Sequence, residues 1–401
     1  MLTIGLLKNT VLKYAWGSTT AIQALLGEKN FSHEPMAELW MGTHPKAPSL
    51  VNYEGKWVTL TDLIAEDPKG ILGNKVAEKF RNRLPYLFKV LAAAKPLSIQ
   101  AHPGLELAVR GFENENEQKI PINAAHRNYK DANHKPECIC ALSAFWALYG
   151  FRKIDDILSL MGKICPGGLG GEMAQLRKHP DSKGLKVFYT DLLSMNTEQK
   201  TRVINEATQN AKQLSNEDPA FYWVTKLSRE YPLDIGLLSP LFLNLIQLQP
   251  GQALFLPAGE LHAYLEGLGI ELMANSDNVL RGGLTPKHVD VPELLKVLNF
   301  EPRPIEILKE KRTQKTEKVY NSFAEEFVLS AISISESEFY RSSDLQSAQI
   351  LLCTAGQADV ADNGSHSTLH IKKGDAVFIS AAARSYTLKG DAVFYKAAVP
   401  V

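Results

Sequence analysis

The sequence predicts a mainly β chain with a helical insert: two jelly-roll barrels, one binding a metal and one metal-free, with an α-helical domain set into the first. Three observations predict it. Short apolar runs bounded by Gly and Pro turns occupy residues 84–151 and 240–262, the pattern of barrel and jelly-roll strands. Between 151 and 234 the apolar period changes to that of helices. The segment Gln249–His262 also recurs, weakened, as Lys372–Ser385. Gly251 aligns with Gly374 and His262 with Ser385, so the second copy keeps the turn and the apolar strand but loses the histidine.

Taken in order, Leu63–Arg83 reads as a helical interlude and Leu84–His102 as strand. Gln100 and His102 stand at i and i+2, so two metal-capable side chains leave one face of an extended segment. Tyr129–Glu137 supplies a carboxylate, and Leu261-His262 a second imidazole. The apolar stretch Cys138–Phe151 is shorter than the roughly 18 residues of a membrane-spanning helix and reads as buried strand. Ile154, Ile157, Leu158 and Met161 repeat at helical spacing. So do Val203, Ile204, Ala207, Ala211 and Leu214, behind Asn196 and Thr197, which can cap. Leu241, Leu243 and Leu245 alternate as a strand, and Pro250-Gly251 turns into Ala253–Leu256. The charged, poorly periodic Lys309–Lys318 marks a boundary. The expected division is 1–150 with 235–318 as the catalytic barrel, 151–234 as the insert, and 319–401 as the metal-free barrel.

A chain of 401 residues, 45% hydrophobic and 22% charged, is long enough for two or three domains. Its 44 acidic and 44 basic residues balance, which removes a global electrostatic argument for nucleic acid or an anionic membrane and points to a small ligand. The start, Met1-Leu-Thr-Ile, has no basic leader, so a cytoplasmic location is expected; the chain is expected to be a monomer. Cys138, Cys140, Cys165 and Cys353 lack a zinc-ribbon spacing and read as reduced, structural thiols.

Gly251, Pro257, Gly259 and His262 meet a spacing that resembles the second motif of the cupin superfamily. Three departures stand out: Glu266 replaces an expected Asn, Gln100-x-His102 replaces His-x-His, and Glu137 lies far downstream of His102. Pro96–Pro103, Tyr129–Glu137 and His262–Lys287 together resemble the signatures of the type I mannose-6-phosphate isomerase family, with Gly282 standing where that family usually has Ala. Trp16, Glu38 and Lys89 also match.

The resemblance implies a zinc-dependent aldose–ketose isomerase that interconverts mannose 6-phosphate and fructose 6-phosphate through an enediol(ate). One Zn²⁺ per chain would be held by Gln100, His102, Glu137 and His262, with no organic cofactor. One carboxylate, two neutral imidazoles and an amide leave the ion a net charge of about +1, suited to Lewis-acid work.

Lys135 is the first candidate for proton-transfer base, on condition that nearby positive charge favours its neutral form, and His134 is the second. Asp277 is a candidate for orienting or relaying protons. Arg281 suits developing negative charge or phosphate, with Lys89, Ser98 and Lys287 as further contacts. Glu38 and Glu271 are expected at the substrate site, and Trp16 and Tyr264 along the sugar pocket. His33, His126, His179, His366 and His370 read as ordinary histidines, and His44 and His288 as structural ones. The competing reading is a non-haem iron bicupin oxygenase, which shares the two histidines and one carboxylate. Gln100 and the cluster of cations argue against it.

Overall fold

The computed structural model describes residues 2–365 and 367–401; Met1 and His366 lie outside the described residues. Strand exceeds helix, and the strands form two antiparallel sheets. The first sheet is organised by the 13-residue strand His262–Ala274. Its second half pairs on one side with Tyr86–Ala93 and on the other with Glu137–Ala141. Its first half pairs instead with Phe145–Phe151, and His262 lies opposite Gln100.

The change of partner is built at Gly267. The ladder shifts register between Tyr264 and Glu266, and Gly267 has φ +137° with Ala144 O 2.8 Å from where a Cβ would stand. A side chain there would meet backbone, so glycine lets the strand bend from one set of neighbours to the other.

Five helices, Ile154–Ile164, Gly170–Lys178, Ser182–Ser194, Thr197–Gln213 and Pro219–Glu230, follow one another over the predicted insert. Asn196 Oδ1 accepts from Gln199 N at 2.9 Å, while Gln199 Oε1 accepts from Asn196 N at 3.2 Å. This reciprocal cap starts the longest helix. Trp223, Phe221, Phe188 and Tyr189 share one apolar core with Ile99, Ala101, Leu148, Leu261 and Leu280 of the first sheet. Each large side chain so buried contributes roughly 1.5–3 kcal/mol, so the helices brace the strands that carry Gln100 and Arg281.

The second sheet is led by Gln349–Asp362 and Tyr386–Ala398, paired along most of their length. The internal repeat holds in the backbone. Gly251 (φ +85°) and Gly374 (φ +94°) each turn into a strand, Ala253–Leu256 and Ala376–Ile379. In the second copy Ser385 Oγ accepts a hydrogen bond from Asn363 at 3.0 Å.

Three expectations need correction. Ile4–Lys8 pairs with Ala376–Ile379, and the hairpin Leu50–Tyr53/Lys56–Thr59 continues from it, so the N-terminal segment completes the second sheet. The charged boundary Lys309–Lys318 is itself a hairpin, Glu310–Gln314 with Glu317–Tyr320, on the edge of that sheet. Its outer strand is exposed throughout, so nothing there demands apolar alternation, and charge suits an edge. Leu241 lies in the short helix Ser239–Phe242, and strand begins only at Leu243–Leu248. Pro240, lacking an N–H and fixed in φ, suits the first turn of a helix. All four cysteines are buried and free. No helix among the described residues is long and apolar enough to cross a membrane.

Candidate metal centre and active site

Gln100 sits in the three-residue strand Ile99–Ala101 between two partners, His262 on one side and Arg281 on the other. Residues directly opposite in antiparallel strands share a face. The pairing therefore brings an amide, an imidazole and a guanidinium together from segments far apart in sequence. His102 follows at i+2, and Gly259 N donates to its carbonyl at 2.9 Å. Gly259 has φ +82°, with Val297 O 2.9 Å from the position of a Cβ, so the glycine turn locks the His262 segment onto the His102 segment. Glu137 opens the strand Glu137–Ala141 opposite Leu256 and Met273.

His102, Glu137 and His262 each offer a ligand atom, all within 4.8 Å of one another, and all three residues are buried. Glu137 Oε1 is 3.2 Å from His102 Nε2, and Oε2 is 3.4 Å from His262 Nε2. The remote ring nitrogens are committed elsewhere. His102 Nδ1–H donates to Asn278 O at 2.7 Å and His262 Nδ1–H to Glu260 O at 3.0 Å. Both rings thus turn Nε2 inward, the orientation a metal requires. Burial, then the neighbouring Lys135 ammonium, lowers the His102 pKa to about 4, so the ring is neutral. Burial works to raise the Glu137 pKa, but Lys135 and then His102 outweigh it and hold the carboxyl well below the usual range.

His102 Nε2 and both Glu137 oxygens are buried without a hydrogen-bond partner. Lys135 Nζ, 2.9 Å from Glu137 Oε1, answers one of the three; His102 Nε2 and Glu137 Oε2 converge with nothing between them, which is costly unless a cation sits there. A carboxylate and two imidazoles are donors of the kind zinc takes. Gln100 Nε2 lies 3.4 Å from His262 Nε2; a half-turn of the amide presents its oxygen at that point as a fourth donor.

Lys135 reaches this group directly, its Nζ 2.9 Å from Glu137 Oε1. His134, the other candidate base, points elsewhere: its Nε2 donates to Glu326 Oε1 at 2.6 Å. Asp277 is engaged too, with Lys46 Nζ at 2.8 Å and His44 Nε2 at 3.6 Å from Oδ2. Lys89 is buried between Glu271, 2.8 Å away, and Glu38, 3.6 Å away, and lies over the Trp40 ring. Although burial opposes it, those carboxylates raise its pKa and keep it charged. The Tyr264 hydroxyl is buried without a hydrogen-bond partner; burial, then Glu271 and Glu137, keeps it protonated.

Arg281 is half-buried and pairs with no carboxylate among the described residues. Lys287, more exposed, has its pKa lowered by partial burial and then by Arg281, Lys130 and Lys46. These cations lie within electrostatic reach of one another and suit an anion. Ser98 is partly buried beside Gln100. Trp16 packs against the core that includes Tyr264 and stacks on Tyr14 at 5.7 Å. His44 is buried against Trp40, edge to face.

Sequence reasoning passed over Asn278 and Tyr14. Asn278 is fully buried; Oδ1 accepts from Lys130 N at 2.7 Å, Nδ2 donates to Asn133 O at 2.9 Å, and its carbonyl holds His102. It therefore ties the Lys135 loop to His102. Its place one residue after Asp277 was the available signal. Tyr14, two residues before Trp16, has its pKa raised by partial burial and then by Glu38, which sets it beside the carboxylate cluster.

Fold and site define a class: a two-sheet β protein with a buried His–Glu–His metal-binding group flanked by lysine and arginine. Within that class the chain belongs to the type I phosphomannose isomerase family. The family model "Phosphomannose isomerase type I, catalytic domain" matches residues 4–154, and "Mannose-6-phosphate isomerase, cupin domain" matches 316–397. The chain is 43% identical over 383 residues to the mannose-6-phosphate isomerase of Escherichia coli, covering 95% of this chain and 96% of that one. It is 34% identical over 403 residues to the human mannose-6-phosphate isomerase, covering 94% and 93%. A crystal structure of zinc-bound mannose 6-phosphate isomerase superposes with a TM-score of 0.91 at 38% identity, with 100% of both chains covered.

Proposed function

We propose that this chain interconverts D-mannose 6-phosphate and D-fructose 6-phosphate by moving a proton between C1 and C2, with one zinc ion per chain. The observation that carries the reading is the convergence of buried His102, Glu137 and His262, with His102 Nε2 and Glu137 Oε2 lacking a hydrogen-bond partner, and Lys135 Nζ 2.9 Å from Oε1 of the same carboxylate. The names and full-length identity of the relatives support it. The oxygenase reading shares the same triad but finds no support among them.

Gln100, His102, Glu137 and His262 would hold the ion. When bound it would supply positive charge for the oxygens at C1 and C2, and Lys135 stands beside the same carboxylate, its Nζ 2.9 Å from Glu137 Oε1. Lys135 takes the proton from C2 of the aldose and returns it to C1, while the hydroxyl proton passes from O2 to O1, so the product is the ketose and no electron acceptor is needed. Arg281, unpaired and facing Gln100, stabilises the charge that develops on the enediolate, and Lys287 grips the phosphate with Ser98. Glu271 and Glu38, fixed by Lys89, accept from the sugar hydroxyls beside Tyr264 and Trp16. Asp277, held by Lys46 and His44, orients the loop that carries Arg281. Each sheet is read as a jelly-roll barrel, the first catalytic and the second metal-free, in a cytoplasmic monomer that binds no nucleic acid.

Arg281→Ala is expected to lower kcat by roughly 10²–10³ with zinc content unchanged; steady-state kinetics with metal analysis checks it, and an unchanged kcat removes Arg281 from the reaction. The overall reading is tested by incubating the protein with mannose 6-phosphate in deuterated water. Fructose 6-phosphate carrying deuterium at C1 supports it. No ketose product, with zinc supplied, overturns it.

A further inference from the structure

The segment that carries Lys135 is fastened at several points. Asp131 and Asn133 are bonded to 275–278: Ser276 Oγ donates to Asp131 Oδ1 at 2.8 Å, Asp277 N to Asp131 Oδ2 at 2.7 Å, and Asn133 Nδ2 to Asn275 O at 3.1 Å. Ala274 N donates to Pro136 O at 3.1 Å. All of these partners belong to the first sheet and its loops. Among the described residues of this segment His134 alone is held from the second sheet, by Glu326 in the connection between Glu317–Tyr320 and Val328–Ile334.

That connection is itself fixed. Phe327 is fully buried in a core shared with Phe88, Cys138 and Leu272 of the first sheet, and Ser322 Oγ donates to Phe327 O at 2.9 Å. Glu326 is 8% exposed, and its second carboxylate oxygen is buried without a partner. A buried carboxylate half satisfied is costly to keep. What it accomplishes here is to grip the residue immediately before Lys135.

We infer that Glu326 is a positioning residue for the isomerisation, reaching from the C-terminal half and acting through His134 to set the Lys135 amine. The inference rests on the assignment of Lys135 as proton carrier. A misplacement of about 1 Å in such a group can cost up to ~10²-fold in rate. Glu326 touches neither the metal ligands nor Arg281 by any side-chain bond, so its loss acts on turnover and leaves the metal and the phosphate grip in place.

The test is a cycle of Glu326→Ala, His134→Ala and the double variant, with Glu326→Gln beside them, all in the zinc-loaded full chain. Glu326→Ala and His134→Ala should each lower kcat about tenfold with KM within about twofold and zinc unchanged, and the double variant should be no slower than either single one. Glu326→Gln keeps an acceptor for His134 and should retain kcat within about threefold. Wild-type kcat in Glu326→Ala, or a double variant that loses the product of the two single effects, overturns the inference. Should Glu326→Ala not fold, His134→Ala and Glu326→Gln decide it: wild-type kcat in the former, or a tenfold loss in the latter, overturns it. Lys135→Met separates the two claims. Solvent exchange that survives there removes Lys135 as the base whatever the Glu326 variants do. Exchange lost there, with wild-type kcat in Glu326→Ala, overturns the positioning role alone.

Discussion

His262→Ala empties the metal centre and takes the activity with it. The imidazole is the donor that the strand His262–Ala274 delivers to Glu137 and Gln100, its Nε2 3.4 Å from each. Its other nitrogen donates to Glu260 O, which fixes the direction of the ring. Truncation leaves Gln100, His102 and Glu137 as a three-donor site, with His102 and Glu137 buried where water compensates poorly. Losing about 4 kcal/mol of charge stabilisation at the substrate oxygens corresponds to a rate loss of roughly 10³ or more. Metal analysis after dialysis should find zinc well below one per chain, while the melting curve stays that of a folded protein. Full zinc occupancy in this variant would remove His262 from the ligand set.

Lys135→Met is expected to separate chemistry from binding. Methionine keeps the length and apolar stem of lysine, so the loop stitched by Asn278 and Ala274 stays in place. What disappears is the amine beside Glu137. General acid–base catalysis contributes about 10²–10⁴, and kcat should fall in that range with zinc retained. Exchange of the substrate's C1 or C2 hydrogen with solvent, followed by proton NMR, should vanish. Exchange at the wild-type rate would move the proton carrier elsewhere. His134 would then be a poor successor, because its imidazole is tied to Glu326 at 2.6 Å.

The candidate metal-binding residues could be read from local spacing: Gln100 and His102 share a face by strand period alone, and Gly259 announces the turn that brings His262 beside them. The helical insert was legible too, since Val203, Ile204, Ala207 and Ala211 repeat at a period only a helix satisfies, and all four are buried. Long-range pairing was not. Nothing local in Ile4–Lys8 says that it will add to a strand near residue 378. The exposed hairpin after residue 309 carries charge where a buried strand would alternate, so it reads as a linker. The direction of His134 was hidden for the same reason, because Glu326 lies in a different sheet and no motif joins the two. Arg281, by contrast, stood in a recognisable stretch, yet only the register opposite Gln100 brings it to the metal-binding face.

The central claim is that a single zinc ion held by Gln100, His102, Glu137 and His262 makes this chain an isomerase of mannose 6-phosphate. It is tested most directly by following fructose 6-phosphate formation in one preparation as purified, after chelation, and during titration back with zinc. The expected result is activity that disappears on chelation and returns in proportion to added zinc, reaching its plateau at one ion per chain. Activity undiminished in protein shown to be free of metal, or absent at full zinc occupancy, would contradict it.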